Sequence, residues 1–175
     1  MTLIAAFAVR PDADDAFITA WKEHRATSGA ALYRSLRPDV DFRFVEVAQA
    51  DSPPVWDEFE AHAGVYEVVR EDGTPDIEGG VVLINPFEVP DDQDERFLDG
   101  WDGAREALGK QRGYLGTRLH RSLGPADFRF VNIARWSSPL MFARALKQPE
   151  FQKAAQTLPF PAHPALYQRV APSVF

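Results

Sequence analysis

Asn132 and Trp136 stand four residues apart in the segment Phe128 to Trp136, and each carries an N–H donor that could hold a ligand oxygen. Strand alternation turns Phe128, Phe130, Asn132, Ala134 and Trp136 one way, and Val131 and Ile133 the other. At the strand rise about 13 Å separates the two Cα atoms, which suits the two ends of a flat polycyclic ligand. An amide in an apolar cavity is unfavourable without partners, so Asn132 is either a satisfied core amide or a ligand contact. Trp136 presents the same choice between packing and donation. His120, close to a hairpin turn, is either exposed or a proton carrier. Glu46 could act as a base if interior, and is merely exposed if it sits at a sheet edge.

Other chemistries are poorly provided for. Cysteine is absent, which removes thiolate zinc sites, cysteine nucleophiles and disulfides. His24, His62, His120 and His163 are scattered, with no paired spacing or carboxylate triad, so no metal site is expected. Gly79-Gly80 precedes a strand, the wrong order for a phosphate loop, which disfavours flavin and nicotinamide. A net charge of -7 argues against a nucleic-acid partner. No apolar run approaches the roughly 20 residues of a membrane span. The apolar start, Met1 to Arg10, lacks a basic flank and aligns with an internal segment, so it reads as a strand of a cytoplasmic protein.

The elements that must position these residues are written twice. Asp41-Phe42-Arg43-Phe44-Val45 recurs as Asp127-Phe128-Arg129-Phe130-Val131, and Arg34-Ser35-Leu36 as Arg121-Ser122-Leu123. Ile4 and Phe7 match Ile84 and Phe87, and Phe17 and Trp21 match Phe97 and Trp101. The first copy reads as strand Leu3–Val9, helix Asp14–Thr27, strands Ala31–Leu36 and Asp41–Ala48, helix Pro53–His62 and strand Val65–Arg70. The second reads as strand Val81–Val89, a helix from the acidic segment at 91–95 to Gly109–Gly113, strands Tyr114–Leu123 and Asp127–Trp136, helices Met141–Leu146 and Glu150–Gln156, and strand Leu166–Val170. Ser137-Ser138-Pro139 supplies a helix cap with proline in the first turn. The expected domains are therefore residues 1–70, a polar linker at 71–80, and residues 81–175.

Each copy has the ferredoxin-like β-α-β-β-α-β order, an α+β unit whose sheet is covered by helices on one face only. Two such sheets must bury their bare faces together, which predicts an intramolecular dimeric α+β barrel. The chain then acts as a monomeric pseudo-dimer or as a homodimer of such units. Val131 and Ile133 suit the helix-covered face, which turns Asn132, Trp136, Phe128 and Phe130 toward the barrel interior. Between Phe142 and Tyr167 lie about 25 residues, against about ten at the equivalent place in the first copy. That insert brings Phe151, Phe160 and His163, enough to wall a pocket.

Leu119-His120-Arg121-Ser122, Phe130-Val131-Asn132-Ile133-Ala134-Arg135-Trp136 and Phe142 resemble the antibiotic biosynthesis monooxygenase family. The likeness covers Val81 to Val170 well and Met1 to Arg70 more weakly. It implies a monooxygenase that needs no cofactor beyond dioxygen as co-substrate and oxidises a small aromatic, an anthrone- or naphthol-type polyketide. By the resemblance, Asn132 and Trp136 bind and polarise the substrate oxygens and His120 handles a proton during peroxide breakdown. Phe128, Phe130, Phe142, Phe151, Phe160, Glu46 and Tyr33 are the expected substrate contacts. Phe142 stands where the family often has a tyrosine. In the first copy Glu46, Ala50 and Tyr33 replace the asparagine, tryptophan and histidine, which makes that copy a structural partner with a degenerate site. The alternatives are a haem-binding or haem-degrading relative, a polyketide cyclase, or a non-catalytic small-molecule-binding barrel. Haem is disfavoured because Gln156 occupies the expected ligand position, and an amide is a poor iron ligand.

Overall fold

The computed structural model describes residues 1–25, 29–50, 58–76 and 79–170. Its first half runs β1 (Thr2–Phe7), α1 (Asp14–Arg25), β2 (Ala31–Ser35), β3 (Phe44–Gln49) and β4 (Ala61–Gly73). The second runs β5 (Val81–Phe87), α2 (Asp94–Gly109), β6 (Tyr114–Ser122), β7 (Phe130–Trp136), α3 (Pro139–Leu146), α4 (Pro149–Ala155) and β8 (Ala165–Arg169). The eight strands close in the order β1-β3-β2-β8-β5-β7-β6-β4, with antiparallel neighbours throughout. Each half contributes a four-stranded ferredoxin-like sheet, and the sheets join at β2–β8 and β4–β6. Closure leaves no strand edge unpaired.

Local chemistry sets the boundaries. Ser138 caps α3 by accepting from the Met141 backbone N–H, and Pro139 follows at the first helical position. Pro149 opens α4, where a missing N–H is harmless. Gly113, at φ 94°, turns the chain from α2 into β6 where a side chain would collide with Met141.

Four expectations change. The helix expected over Pro53–His62 falls partly outside the described residues, and its end is not helical: Ala61 and His62 pair with Phe7 and Ala6 as the start of β4. The expected linker begins inside a strand, because Glu71, Asp72 and Gly73 continue β4 opposite Arg118, Thr117 and Gly116. Strand β7 starts at Phe130, so Phe128 escapes its alternation. The facing of β7 is also the reverse of that expected. Val131 and Ile133 join Ile4, Val45, Val82 and Ile84 in the cluster that fills the barrel, whereas Phe130, Ala134 and Trp136 pack on the helix-covered side. Both faces of the strand are apolar, so alternation separates them without saying which lies inside.

The duplication persists in side-chain detail. Phe17 stacks on Phe44 at 4.5 Å in the first half, and Phe97 on Phe130 at 4.3 Å in the second. Arg43 donates to Asp14 at the start of α1 and to the Ser35 carbonyl, and Arg129 does the same with Asp94 and Ser122. Tyr66 and Tyr167 each send a buried hydroxyl across to a carbonyl of the other half, Phe128 at 3.0 Å and Phe42 at 2.9 Å.

Candidate active site

The second half holds a cavity of about 470 Å³ between its sheet and its helices. Leu83, Asn85 and Phe87 of β5, Tyr114 and Thr117 of β6, and Asn132, Ala134 and Trp136 of β7 form its floor. Trp101, Ala104, Arg105 and Leu108 of α2 make one wall. The insert closes it with Phe142, Leu146, Phe151, Ala155, Leu158 and Phe160. The cavity therefore lies under the helices, and the space between the two sheets is occupied by packed side chains.

Its floor is polar at a few points only. Asn85 and Asn132 sit directly opposite each other on adjacent strands, so both amides emerge on one face. The Thr117 hydroxyl donates to Asn132 Oδ1 at 2.6 Å, which leaves the Asn132 amide N–H groups as donors toward the cavity. The Trp136 side chain is fully buried, with the rings of Tyr114 and Phe142 edge-on to it at 5.6 and 5.3 Å. Two buried atoms here, Trp136 Nε1 and Asn85 Oδ1, have no hydrogen-bond partner among the described residues. An unmade hydrogen bond at a buried polar atom costs roughly 1–3 kcal/mol, which a ligand oxygen or hydroxyl would recover. At the rim the Tyr114 hydroxyl donates to Asp72 at 3.0 Å, and burial together with that bond raises its pKa.

The remaining expected site residues lie elsewhere. His120 is opposite Val131, whose side chain is in the barrel interior, whereas its neighbour Leu119 is opposite Asn132. The imidazole is thus on the far face of the sheet from the cavity, with Nδ1 3.3 Å from the Val131 carbonyl. Burial pushes its pKa down to about 4, so it is neutral at pH 7. Tyr33 occupies the matching interior position in the first half, and Phe128 packs on Phe42 inside the barrel at 5.3 Å. Phe130 lies beneath α2 against Phe97, off the cavity wall. Glu46 is fully buried in the first half, opposite Ala5 as Asn132 is opposite Asn85. Of the insert's candidates Phe142, Phe151 and Phe160 line the cavity, but His163 does not: it bonds Asp41 and Glu88 at one end of the barrel.

Sequence reasoning missed Asn85, Thr117, Tyr114 and Arg105. Asn85 was detectable as the one side chain in Val81–Phe87 able to hydrogen-bond, sharing its parity with Leu83 and Phe87. The other three gain significance only from what folding sets beside them. Among the described residues there is no group of three or more His, Cys, Asp or Glu suited to a metal ion, and no helix is long and apolar enough to cross a membrane.

Residues 80–157 match the model of the antibiotic biosynthesis monooxygenase family. No curated protein matches the chain. Among solved structures, the chain is similar to an anthrone oxidase-like protein at 15% identity and a TM-score of 0.74, over 97% of this chain and 91% of that one. It is similar to a haem-degrading enzyme from Listeria monocytogenes at 13% identity and a TM-score of 0.59, over 96% and 99% of the two chains. A protein of Shewanella loihica assigned as a monooxygenase is 35% identical over 55% of this chain and 99% of its own, with a TM-score of 0.46. The first two likenesses, both at low identity, concern the fold.

Proposed function

The chain belongs, through its second half, to the antibiotic biosynthesis monooxygenase family, and from that premise we propose that it is a cofactor-independent oxygenase of polycyclic aromatic substrates. The observation that carries this reading is the orphaned Trp136 Nε1 and Asn85 Oδ1, beside the Asn132 amide, on the floor of a mostly apolar cavity. A flat anthrone- or naphthol-type ring system fits that chemistry. Its apolar faces meet Phe142, Phe151 and Phe160, and its ring oxygens meet the floor.

The proposed reaction draws its driving force from the substrate. The acidic ring carbon gives its proton to solvent water, and the charge delocalises over the ring oxygens at the two ends of the ligand, where the Asn132 and Trp136 N–H groups each stabilise it. The carbanion passes one electron to dioxygen, and the substrate radical and superoxide combine to a peroxide. Loss of water then leaves a carbonyl, so a ring CH₂ and O₂ become C=O and H₂O. Asn85 Oδ1 accepts from a substrate hydroxyl and fixes orientation, and Thr117 fixes Asn132. His120 takes no part, because the sheet lies between it and the cavity.

Haem does not fit this donor set. Among the described residues the cavity lining contains no histidine, cysteine or methionine, and its one tyrosine, Tyr114, is bonded to Asp72. A non-catalytic binding barrel is the second reading, favoured by a lining that, among the described residues, has no carboxylate or imidazole on it. Oxygen uptake with anthrone and naphthol probes decides between them. The oxygenase consumes O₂ and yields a quinone, with Asn132→Ala and Trp136→Phe reducing the rate; binding without uptake leaves the barrel reading.

A further inference from the structure

Arg105 is the one charged side chain lining the cavity, among the described residues. Among the described residues its guanidinium reaches a single carboxylate, Asp72, at 3.4 Å, and its side chain is about one-third exposed at 32%. That contact exceeds the 2.7–2.9 Å of a charge-assisted hydrogen bond, and exposed pairs of this kind hold with roughly 1 kcal/mol or less. Three other arginines are more firmly engaged. Arg43 and Arg129 each donate from two nitrogens to one carboxylate and from a third to a backbone carbonyl, and Arg118 bonds both Glu71 and Asp76. Arg105 therefore has donors in reserve beside a mostly apolar cavity. Asp72 is in turn a shared acceptor, taking the Tyr114 hydroxyl with the same Oδ2 that faces Arg105.

We propose that Arg105 is the specificity contact for an acidic oxygen, a carboxylate or an ionised phenol, on the aromatic ligand, and that Asp72 holds the guanidinium poised until that oxygen displaces it. Asp72 belongs to β4 of the first half, so the half with the degenerate site supplies a positioning residue to the other. Chemistry supports both parts. A chain of net charge -7 has no general attraction for anions, so an acidic ligand needs a local cation. Recruiting Arg105 from a weak, water-exposed pair is inexpensive, whereas its new pair forms partly out of water, where attraction is stronger. Tyr114 connects the two ends of the site, edge-on to Trp136 at 5.6 Å and bonded to Asp72. A ligand with its ring on Trp136 thus has a polar path to Arg105. The inference rests on the cavity being the ligand site but not on oxygen chemistry.

The experiment is calorimetric binding of 2-naphthoate, its neutral amide, and a nitronaphthol that is ionised at pH 7. The wild-type protein is expected to bind naphthoate about tenfold more tightly than the amide, a difference near 1.4 kcal/mol. Arg105→Gln should erase that preference by weakening naphthoate more than the amide, Arg105→Lys should keep part of it, and Asp72→Asn should tighten naphthoate alone. Preference for the nitronaphtholate would extend the ligand class to acidic phenols. Equal binding of acid and amide, a preference that survives Arg105→Gln, or no binding of any probe overturns the proposal. Anion-selective binding without oxygen uptake would leave it standing while removing the oxygenase reading.

Discussion

The two halves share a register and differ in what that register displays. Ala5 faces Glu46 in the first sheet where Asn85 faces Asn132 in the second, and Leu32 and Leu119 flank these pairs identically. The stacked phenylalanines, the arginine clasps and the crossing tyrosines are common to both. In the second half α3, α4 and the loop that follows them roof the cavity. Duplication thus fixed a framework, and the site resides in the copy that carries this roof and a pair of amides. The first copy supplies the other wall of the barrel, and at Asp72 it reaches the rim of its partner's cavity.

The framework half of that comparison predicts the largest effects. Phe17→Ala and Phe97→Ala each remove a fully buried ring stacked on a second one, so each should cost about 3–5 kcal/mol in urea unfolding. Equal losses in a single transition are expected if the barrel unfolds as one unit. Two separated transitions would show that the halves are independent.

Next in size are the effects on the site. Loss of one donor to a developing oxyanion typically slows a reaction by about 10²–10³-fold, so Asn132→Ala should reduce oxygen uptake on that scale. Glu46→Gln, at the matching position of the first half, should leave the rate unchanged. Similar losses from both variants would break the assignment of the chemistry to one half. Thr117→Val should give a smaller loss than Asn132→Ala, because it frees the amide to turn without removing it.

How far these differences were legible depends on the kind of signal. The repeated Asp-Phe-Arg-Phe-Val segment carries its own physics: the arginine must find a carboxylate and the phenylalanine a stacking partner, so framework and element order follow from sequence. The facing of β7 does not, since Val131 and Ile133 are as apolar as Phe130 and Ala134. Closure of the barrel decided it, with Val131 and Ile133 inside and Phe130 and Trp136 beneath helices. His120 is expected from the family resemblance alone; its face follows from the register, because a residue on β6 shares a face with its partner on β7 and only the register names that partner. Asn85 was overlooked because its counterpart, Ala5, draws no attention, although a difference between copies is where a site should be sought.

The arginine clasps should give intermediate and nearly equal effects. Arg43→Ala and Arg129→Ala each leave a helix-start carboxylate, Asp14 or Asp94, without its bidentate partner in a mostly buried setting. Hydrogen bonds to charged groups are worth about 1.5–3 kcal/mol, so each variant should lose about 2 kcal/mol. A loss confined to Arg129→Ala would mean that the second half alone depends on its clasp.

The smallest effect separates the two histidines at one end of the barrel. Each crosses to the other half, His62 to Asp127 and His163 to Asp41, both at 2.7 Å, with Phe42 and Phe128 between them. Their second carboxylates differ: Glu88 lies 2.8 Å from His163, whereas Glu60 lies 3.6 Å from His62. Burial alone would lower the pKa of His163, but the bonds to Asp41 and Glu88 outweigh it and raise the value. A raised folded-state pKa contributes stability that is complete below the unfolded value of about 6.5 and disappears as pH climbs through the folded one. The urea midpoint of the wild-type protein should therefore fall slightly relative to that of His163→Gln between pH 6 and pH 8.5, with the gap closing at the upper end. His62→Gln should cost less stability at pH 6 than His163→Gln, since its second carboxylate is farther away and more exposed. Equal losses from both variants would mean that Glu88 adds nothing, and that this end of the barrel kept its original symmetry where the cavity side has lost it.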